Sequence, residues 1–244
     1  MQAAIIIPAR YNSSRLPGKP LLNATGKFLI QHCYEQALKA KLAGRVIVAT
    51  DDGRIADAVR SFGGEVAMTR ADHVSGTDRI AEVARTLDAE FIVNLQGDEP
   101  QFDPAGLDLL IGFGADMATL AVPIRDDGTY RNPNIVKVVC ADDGRALYFS
   151  RSPIPMVRDA APDFASGRFL QHLGVYSYRR DTLLSLARTA PHPLELAEKL
   201  EQLRALAHGI TIRVGVVSAG HRGIDTLEDY AEFVKSVASA RPFP

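Results

Sequence analysis

Short apolar runs alternate with amphipathic stretches along the first hundred residues. Residues 3–7, Ala-Ala-Ile-Ile-Ile stopped by Pro8, are too few for a helix and read as a fully buried strand. Ile30, Cys33, Ala37 and Ala40 recur at helical spacing after Gly26-Lys27, predicting a helix from the late twenties to about 41. Residues 46–50 are a second buried strand. Asp51 or Asp52 caps a helix carrying Ile55, Val59 and Phe62, which Gly63-Gly64 ends. A short strand over 65–68, a helix over about 77–87 with Ile80, Val83, Ala84 and Leu87 inward, and an apolar strand over 91–95 follow. Strict strand–helix alternation predicts a doubly wound α/β fold, its sheet mostly parallel with right-handed crossovers.

Past residue 110 the rhythm changes. Segments 117–122, 136–140, 146–150 and 169–178 are strand-like with little helix between, predicting an antiparallel or mixed extension of the same sheet. Residues 152–168 read as a loop. Leu196, Leu200, Leu203 and Ala207 fall on one stripe of a helix, and 211–217 is a last strand. Tyr230, Phe233, Val234 and Val237 line the core face of a C-terminal helix. No internal repeat or low-complexity linker interrupts the chain.

At 244 residues and 46% hydrophobic, the chain can bury a large core as one domain. Its net charge of −1 argues against a general nucleic-acid binder, which needs a basic face. Cys33 and Cys140 sit in apolar patterns and read as buried thiols, not a disulfide framework or metal site. No apolar segment reaches membrane-spanning length, and the opening residues lack a signal peptide's basic n-region. A cytoplasmic protein with no membrane insertion is expected.

Against that balanced background, the loop after the first strand concentrates charge. Arg10, Arg15 and Lys19 stand within ten residues, at the carboxyl end of a strand where α/β folds bind ligands. Arg offers a planar fork to phosphate oxygens and Lys a compact charge, so the loop is either a solvated basic segment or a polyphosphate cradle; its position favours the cradle. Asp98 follows Gln96-Gly97 at the end of a presumed central strand, and Gly97 leaves room for a ligand at its backbone. Asp225 precedes the last helix, where Thr226 and Asp229 make a capping box. Thr226 can therefore be the cap and free Asp225, although Asp225 as a plain cap stays open. Two carboxylates about 5 Å apart repel by about 3 kcal/mol at an effective dielectric near 20, so convergence would call for a cation. Magnesium suits one or two carboxylates plus substrate oxygens.

Ser75, Gly76 and Thr77 open a helix whose free amides suit an anion or a base carbonyl, with Thr77 read as the cap. In 169–176, counting by two puts Phe169, Leu173 and Val175 on one face and His172, Gly174 and Tyr176 on the other. Two polar rings thus flank a bare glycine, with room for a ligand between them. Glu198 and Gln202, four apart, read from pattern alone as a solvated helix face. His73, Asp51 and Asp52 read as structural.

The loop A-R-x-x-S-x-R-x-x-x-K, as Ala9, Arg10, Ser13, Arg15 and Lys19, resembles that of CMP-sugar-acid synthetases. Pro8-Ala-Arg-Tyr and Arg15-Leu-Pro-Gly-Lys-Pro-Leu are very similar to the 3-deoxy-manno-octulosonate (KDO) cytidylyltransferases, or CMP-KDO synthetases, and the resemblance runs over residues 3–235. It implies a three-layer, Rossmann-like nucleotide-diphospho-sugar transferase fold. The nucleotide-binding part would span about 1–110, a sugar-binding and dimerisation part about 111–220, and the C-terminal helix 226–240. It implies Arg15, Lys19, Asp98 and Asp225 as catalytic residues, with Mg2+ on Asp98 and Asp225. It places Pro8, Ala9, Arg10, Ser13, Lys19, Arg70, Ser75, Gly76, Gln96, Gly97 and Asp98 at the nucleotide. Arg15, Arg79, Gln96, His172, Tyr176, Glu198 and Gln202 would meet the sugar acid.

The resemblance further implies CTP and KDO as substrates, CMP-KDO and pyrophosphate as products, a role in bacterial lipopolysaccharide biosynthesis, and a homodimer. It departs at 152–168, where Ser152-Pro153 and Met156-Val157 replace an Ala-Thr-Ile-Pro-Trp type of segment. An 8-amino-KDO or sialic acid substrate is the alternative within the class; a metal-dependent glycosyltransferase and a non-catalytic sugar-nucleotide sensor are those outside it. A dehydrogenase would need G-x-G-x-x-G after the first strand and a P-loop kinase G-x-x-x-x-G-K-[ST]; neither is present.

Overall fold

The computed structural model describes residues 2–12, 16–220 and 223–239. Ser13 and Arg15 lie outside the described residues. The chain forms two compact units, Met1–Asp108 with His221–Pro244, and Leu109–Gly220.

The first unit is built on strand β1 (Ala3–Ala9), buried on both faces as its Ile run requires. Helix α1 (Leu29–Ala37), strand β2 (Ala43–Thr50), helix α2 (Gly53–Ser61), strand β3 (Glu65–Met68), helix α3 (Gly76–Ala84) and strand β4 (Phe91–Asn94) follow. β1 pairs in parallel with β2 on one side and β4 on the other, and β2 pairs in parallel with β3. The order β3-β2-β1-β4 thus lines up four strand carboxyl ends along one edge. Asp52 caps α2 by accepting from the Arg54 amide, and Gly63 leaves the helix at φ 78°, a left-handed turn that suits glycine.

Helix α4 (Pro104–Gly112) was not anticipated. Its start is marked by Asp103, whose side chain accepts from the Ala105 amide, and by proline in the first turn. In the second unit, strand β5 (Met117–Pro123), helix α5 (Asp127–Arg131), strands β6 (Lys137–Cys140), β7 (Ala146–Ser150) and β8 (Leu170–Arg179), helices α6 (Arg180–Leu186), α7 (Pro193–Glu198) and α8 (Gln202–Ala207), and strand β9 (Ile212–Val216) follow. β5 lies between antiparallel β8 and parallel β9, and β6 pairs antiparallel with β7 and β8. Over the whole chain the class is mixed α/β, its strand pairing mostly parallel with an antiparallel part.

One sequence expectation needs correction here, and two hold with a refinement. The stripe from Leu196 to Ala207 is not one helix: Lys199 turns left-handed at φ 54° and splits it into α7 and α8. Leu200 and Leu203 are buried, whereas Leu196 and Ala207 are exposed. Segment 152–168 carries a 3-10 turn, Phe164–Ser166, and Phe164 and Val157 pack on Ile124, Tyr130 and Phe169. Cys33 is buried and Cys140 half-buried, both free thiols.

The last helix, α9 (Leu227–Ser239), belongs to the first unit. Tyr230 and Phe233 bury against Leu16, Leu29 and Ile224, with Val234 and Val237 alongside. Tyr230 also accepts from the Ala24 amide at 2.7 Å. Burying an aliphatic or aromatic side chain of this size contributes about 1.5–3 kcal/mol. This cluster brings residues 223–226 back to the carboxyl edge of the sheet.

Candidate active site

The carboxyl ends of β1 and β4 build the centre of the site. Beyond β1 the chain turns back through Gly18 (φ 69°), whose amide donates to the Tyr11 carbonyl at 2.9 Å. Tyr11 packs over the Gly18 Cα on one side, and the Arg54 guanidinium lies 3.3 Å from its ring centre. That turn delivers Lys19. Beyond β4 comes Gly97, where a Cβ would stand 3.0 Å from the Pro8 carbonyl and 3.2 Å from Ile30 Cδ1. The sequence reading had Gly97 making room for a ligand. Its bare Cα also lets the ends of β1 and β4 close on each other.

Asp98 and Asp225 converge. The Lys19 ammonium lies 2.6 Å from Asp98 Oδ2 and 3.5 Å from Asp225 Oδ1, and donates to the Ile224 carbonyl at 2.8 Å. The Ile224 amide in turn donates to the Asp98 carbonyl at 2.9 Å, locking the two segments together. Thr226 and Asp229 form the capping box of α9, so Asp225 is not its cap. Two carboxylates this close repel by about 3 kcal/mol at an effective dielectric near 20, and the ammonium between them offsets it. Lys19 therefore faces the acids, not an open phosphate cradle as the sequence suggested.

The oxygens around Lys19 Nζ, two carboxylates and a carbonyl, are hard donors grouped about one cation. They fit magnesium, which takes one or two protein carboxylates and completes its shell with water and phosphate. Among the described residues no group of three or more His, Cys, Asp or Glu side chains could hold a metal by itself. An ion held by these oxygens would complete its shell with water or substrate oxygens. Glu99, which sequence reasoning passed over, sits beside this centre; burial and the Asp98 charge push its carboxyl up to about 8.

The amino end of α3 lies against β1, since a Cβ on Gly76 would meet Pro8 Cγ at 3.5 Å. Ser75, not Thr77, is the cap: its hydroxyl accepts from the Asp78 amide and the Asp78 carboxylate accepts from the Ser75 amide. Thr77 is buried inside the first turn. Arg10 donates to the His73 carbonyl at 2.9 Å, tying the loop after β1 to the one before α3. Arg70 is exposed and pairs with Asp72 at 3.2 Å. Gln96 donates to Asn94 Oδ1 at 3.0 Å.

Arg79, expected at the sugar, is 1% exposed. Its guanidinium lies 3.0 Å from Asp51 Oδ1 and donates to the Thr69 hydroxyl, while its Nε has no hydrogen-bond partner. Desolvation pulls its pKa below the usual value, and the Asp51 charge opposes that shift. Asp51 follows β2 at the same carboxyl edge as Asp98 follows β4. The strand-end rule that flagged Asp98 applies to it equally.

In the second unit, β8 carries the anticipated ring pair. His172 and Tyr176 have centroids 5.3 Å apart, and Gly174 between them faces open space. A bulge sets this geometry: Thr119 pairs with Tyr176 but Leu120 with Leu173, so Gly174 and Val175 stand out of register. The Thr119 hydroxyl, unnoticed in the sequence, plugs the bulge, donating to the Val175 carbonyl at 2.7 Å. Its oxygen then accepts from His172 Nε2 at 3.0 Å, which leaves Nδ1 free to accept. Burial lowers the His172 pKa to about 3, so the ring is neutral.

The solvated face expected for Glu198 and Gln202 is a further correction, caused by the break at Lys199. Glu198 accepts from Ser150 Oγ at 2.7 Å and from the Arg151 amide at 2.8 Å, holding α7 to the end of β7. Gln202 is 5% exposed, with its Nε2 unpartnered.

The chain resembles known proteins over nearly its whole length. The cytidylyltransferase family pattern matches residues 4–212. The 3-deoxy-manno-octulosonate cytidylyltransferase of Geobacter metallireducens is 51% identical, over 98% of both chains. That of Trichlorobacter lovleyi is 52% identical, over 94% of this chain and 96% of the relative. A solved structure of CMP:2-keto-3-deoxy-manno-octonic acid synthetase complexed with CTP superposes with a TM-score of 0.93. It is 44% identical, over 99% of this chain and 100% of that one. With this likeness over nearly its whole length, the chain belongs to the cytidylyltransferase family, among its 3-deoxy-manno-octulosonate cytidylyltransferases.

Proposed function

We propose that this enzyme, a nucleotidyltransferase, activates 3-deoxy-manno-octulosonate with CTP, giving the CMP-sugar acid and pyrophosphate. The observation that carries this reading is the meeting of Asp98, Asp225 and Lys19 at the carboxyl edge of the first unit's sheet. The sugar's anomeric hydroxyl attacks the α-phosphorus in line, the bond to the β-phosphate oxygen breaks, and pyrophosphate leaves. Such transfers depend on positioning and charge neutralisation more than on covalent chemistry.

Asp98 and Asp225 would hold Mg2+, which, when bound, offsets phosphate charge and lowers the pKa of the attacking hydroxyl. Arg10, with Arg15 and Ser13, would meet the triphosphate, and Lys19 stands at the border between those oxygens and the acids. The amino end of α3 at Ser75 and Gly76, together with Pro8, Ala9, Arg70, Gln96 and Gly97, would receive the nucleoside. His172 Nδ1 is an acceptor for a sugar hydroxyl, and Tyr176 and Gln202 Nε2 are donors. Glu198 and Arg79 act through what they hold, the α7–β7 junction and the base of α3. Deprotonation of the anomeric hydroxyl is assigned to no side chain.

We further propose that the enzyme is cytoplasmic, works as a homodimer and serves lipopolysaccharide biosynthesis. No helix among the described residues is long and apolar enough to cross a membrane. Pyrophosphate release from CTP, measured with 3-deoxy-manno-octulosonate, its 8-amino relative and a sialic acid side by side, tests the substrate. Release driven best by another acid overturns the octulosonate assignment. Sedimentation as a monomer overturns the dimer.

A further inference from the structure

Lys19 is placed in the first unit as a stand-in cation. Its three ammonium protons face three oxygens: Asp98 Oδ2 at 2.6 Å, the Ile224 carbonyl at 2.8 Å and Asp225 Oδ1 at 3.5 Å. An ammonium has three donors and no acceptor, so this set is saturated. These are also the oxygens that fit a divalent ion, and the Lys19 side chain is only 12% exposed, so the charge is not a loose surface one. Two cations cannot share the position: about 4 Å apart, like charges repel strongly in a partly buried setting.

We propose that Lys19 is a built-in competitor of the divalent ion, which keeps the metal position closed until a triphosphate draws the ammonium away. This rests on the assignment of Asp98 and Asp225 as the metal-holding pair. Lys19 begins a short 3-10 turn just after Gly18, on the segment that also bears the basic loop. An anionic ligand on that loop offers the ammonium an alternative partner, a four-carbon stem lets it turn, and the acids are then exposed to the metal. A single lysine thereby couples nucleotide and metal. By linkage each ligand raises the other's affinity by the same factor.

The test is direct titration of the full chain with Mn2+, free ion being read by electron paramagnetic resonance, without nucleotide. Lys19→Met should bind Mn2+ at least roughly tenfold more tightly than the unmodified protein, because the competing charge is gone. Mn2+ should raise the melting temperature of Lys19→Met and leave the unmodified protein nearly unchanged. Should Lys19→Met fail to fold, Lys19→Gln, which keeps an N–H donor for Asp98, takes its place. Equal Mn2+ affinity in the two proteins overturns the competition while leaving the metal position standing. The double variant Lys19→Met/Asp98→Asn should lose the gained affinity. If it retains that affinity, or if no variant binds Mn2+, the carboxylate assignment falls and the competition with it.

Discussion

Lys19 and Asp98, 79 positions apart in sequence, are joined by a 2.6 Å ion pair at the carboxyl edge of the first unit's sheet. Each arrives there for a separate reason. Lys19 is delivered by the left-handed turn at Gly18, and Asp98 by the strand end that Gly97 allows to approach β1. Asp225 joins them because Ile224 is buried with Leu16, Leu29 and Phe233.

Gly97→Ala should lower both stability and turnover. Its Cβ would stand 3.0 Å from the Pro8 carbonyl, backbone that cannot yield easily, so the cost is about 1–3 kcal/mol and the end of β4 shifts under Asp98. Gly53→Ala is the matched control. Nothing lies within 4 Å of its added methyl, and the change should be neutral or mildly stabilising. Denaturant melts and steady-state rates of both variants check this.

His172 should make the protein acid-sensitive without entering the pH–rate profile. Its folded pKa is about 3, below the value near 6.5 of an unfolded histidine. The unfolded chain therefore takes up the proton first. The group's stabilisation is complete above pH 6.5 and is lost as pH falls towards 3, by at most about 1.4 kcal/mol per pH unit. His172→Gln should lack that slope in stability against pH. In kinetics, His172→Ala should raise KM for the sugar acid more than for CTP.

Arg79 should matter through Asp51. Arg79→Met leaves the Asp51 carboxylate without the guanidinium 3.0 Å away and should cost about 2–3 kcal/mol, less than a fully buried pair because Asp51 is partly exposed. Asp51→Asn on that background should recover part of the loss. A double-mutant cycle in thermal stability measures the coupling, and additive losses would mean the pair contributes nothing.

How far the sequence reached follows from what each signal measures. Hydrophobic period located β1, β2 and β4 and the inward residues Ile30, Cys33, Ile80 and Val83, since burial on a regular element is what periodicity reports. Strand-end position flagged Asp98; the capping box at Thr226 and Asp229 left Asp225 open between cap and ligand, and only the family resemblance pointed it to a metal. Helix α4 was overlooked although Asp103-Pro104 marks its start. The break at Lys199 had no glycine to announce it, so Glu198 and Gln202 were read on one helix face that does not exist. Partners across space were beyond reach: Thr119 plugging the β8 bulge, Asp51 holding Arg79, and Lys19 turned to the acids depend on register between distant segments.

Pyrophosphate release from CTP, with 3-deoxy-manno-octulosonate and Mg2+ present, tests the central claim most directly when run on Asp98→Asn and Asp225→Asn beside the unmodified enzyme. The account predicts rapid release from the unmodified enzyme and a loss of roughly a hundredfold or more in each variant, with both still melting cooperatively. Release at the unmodified rate by either variant would contradict it.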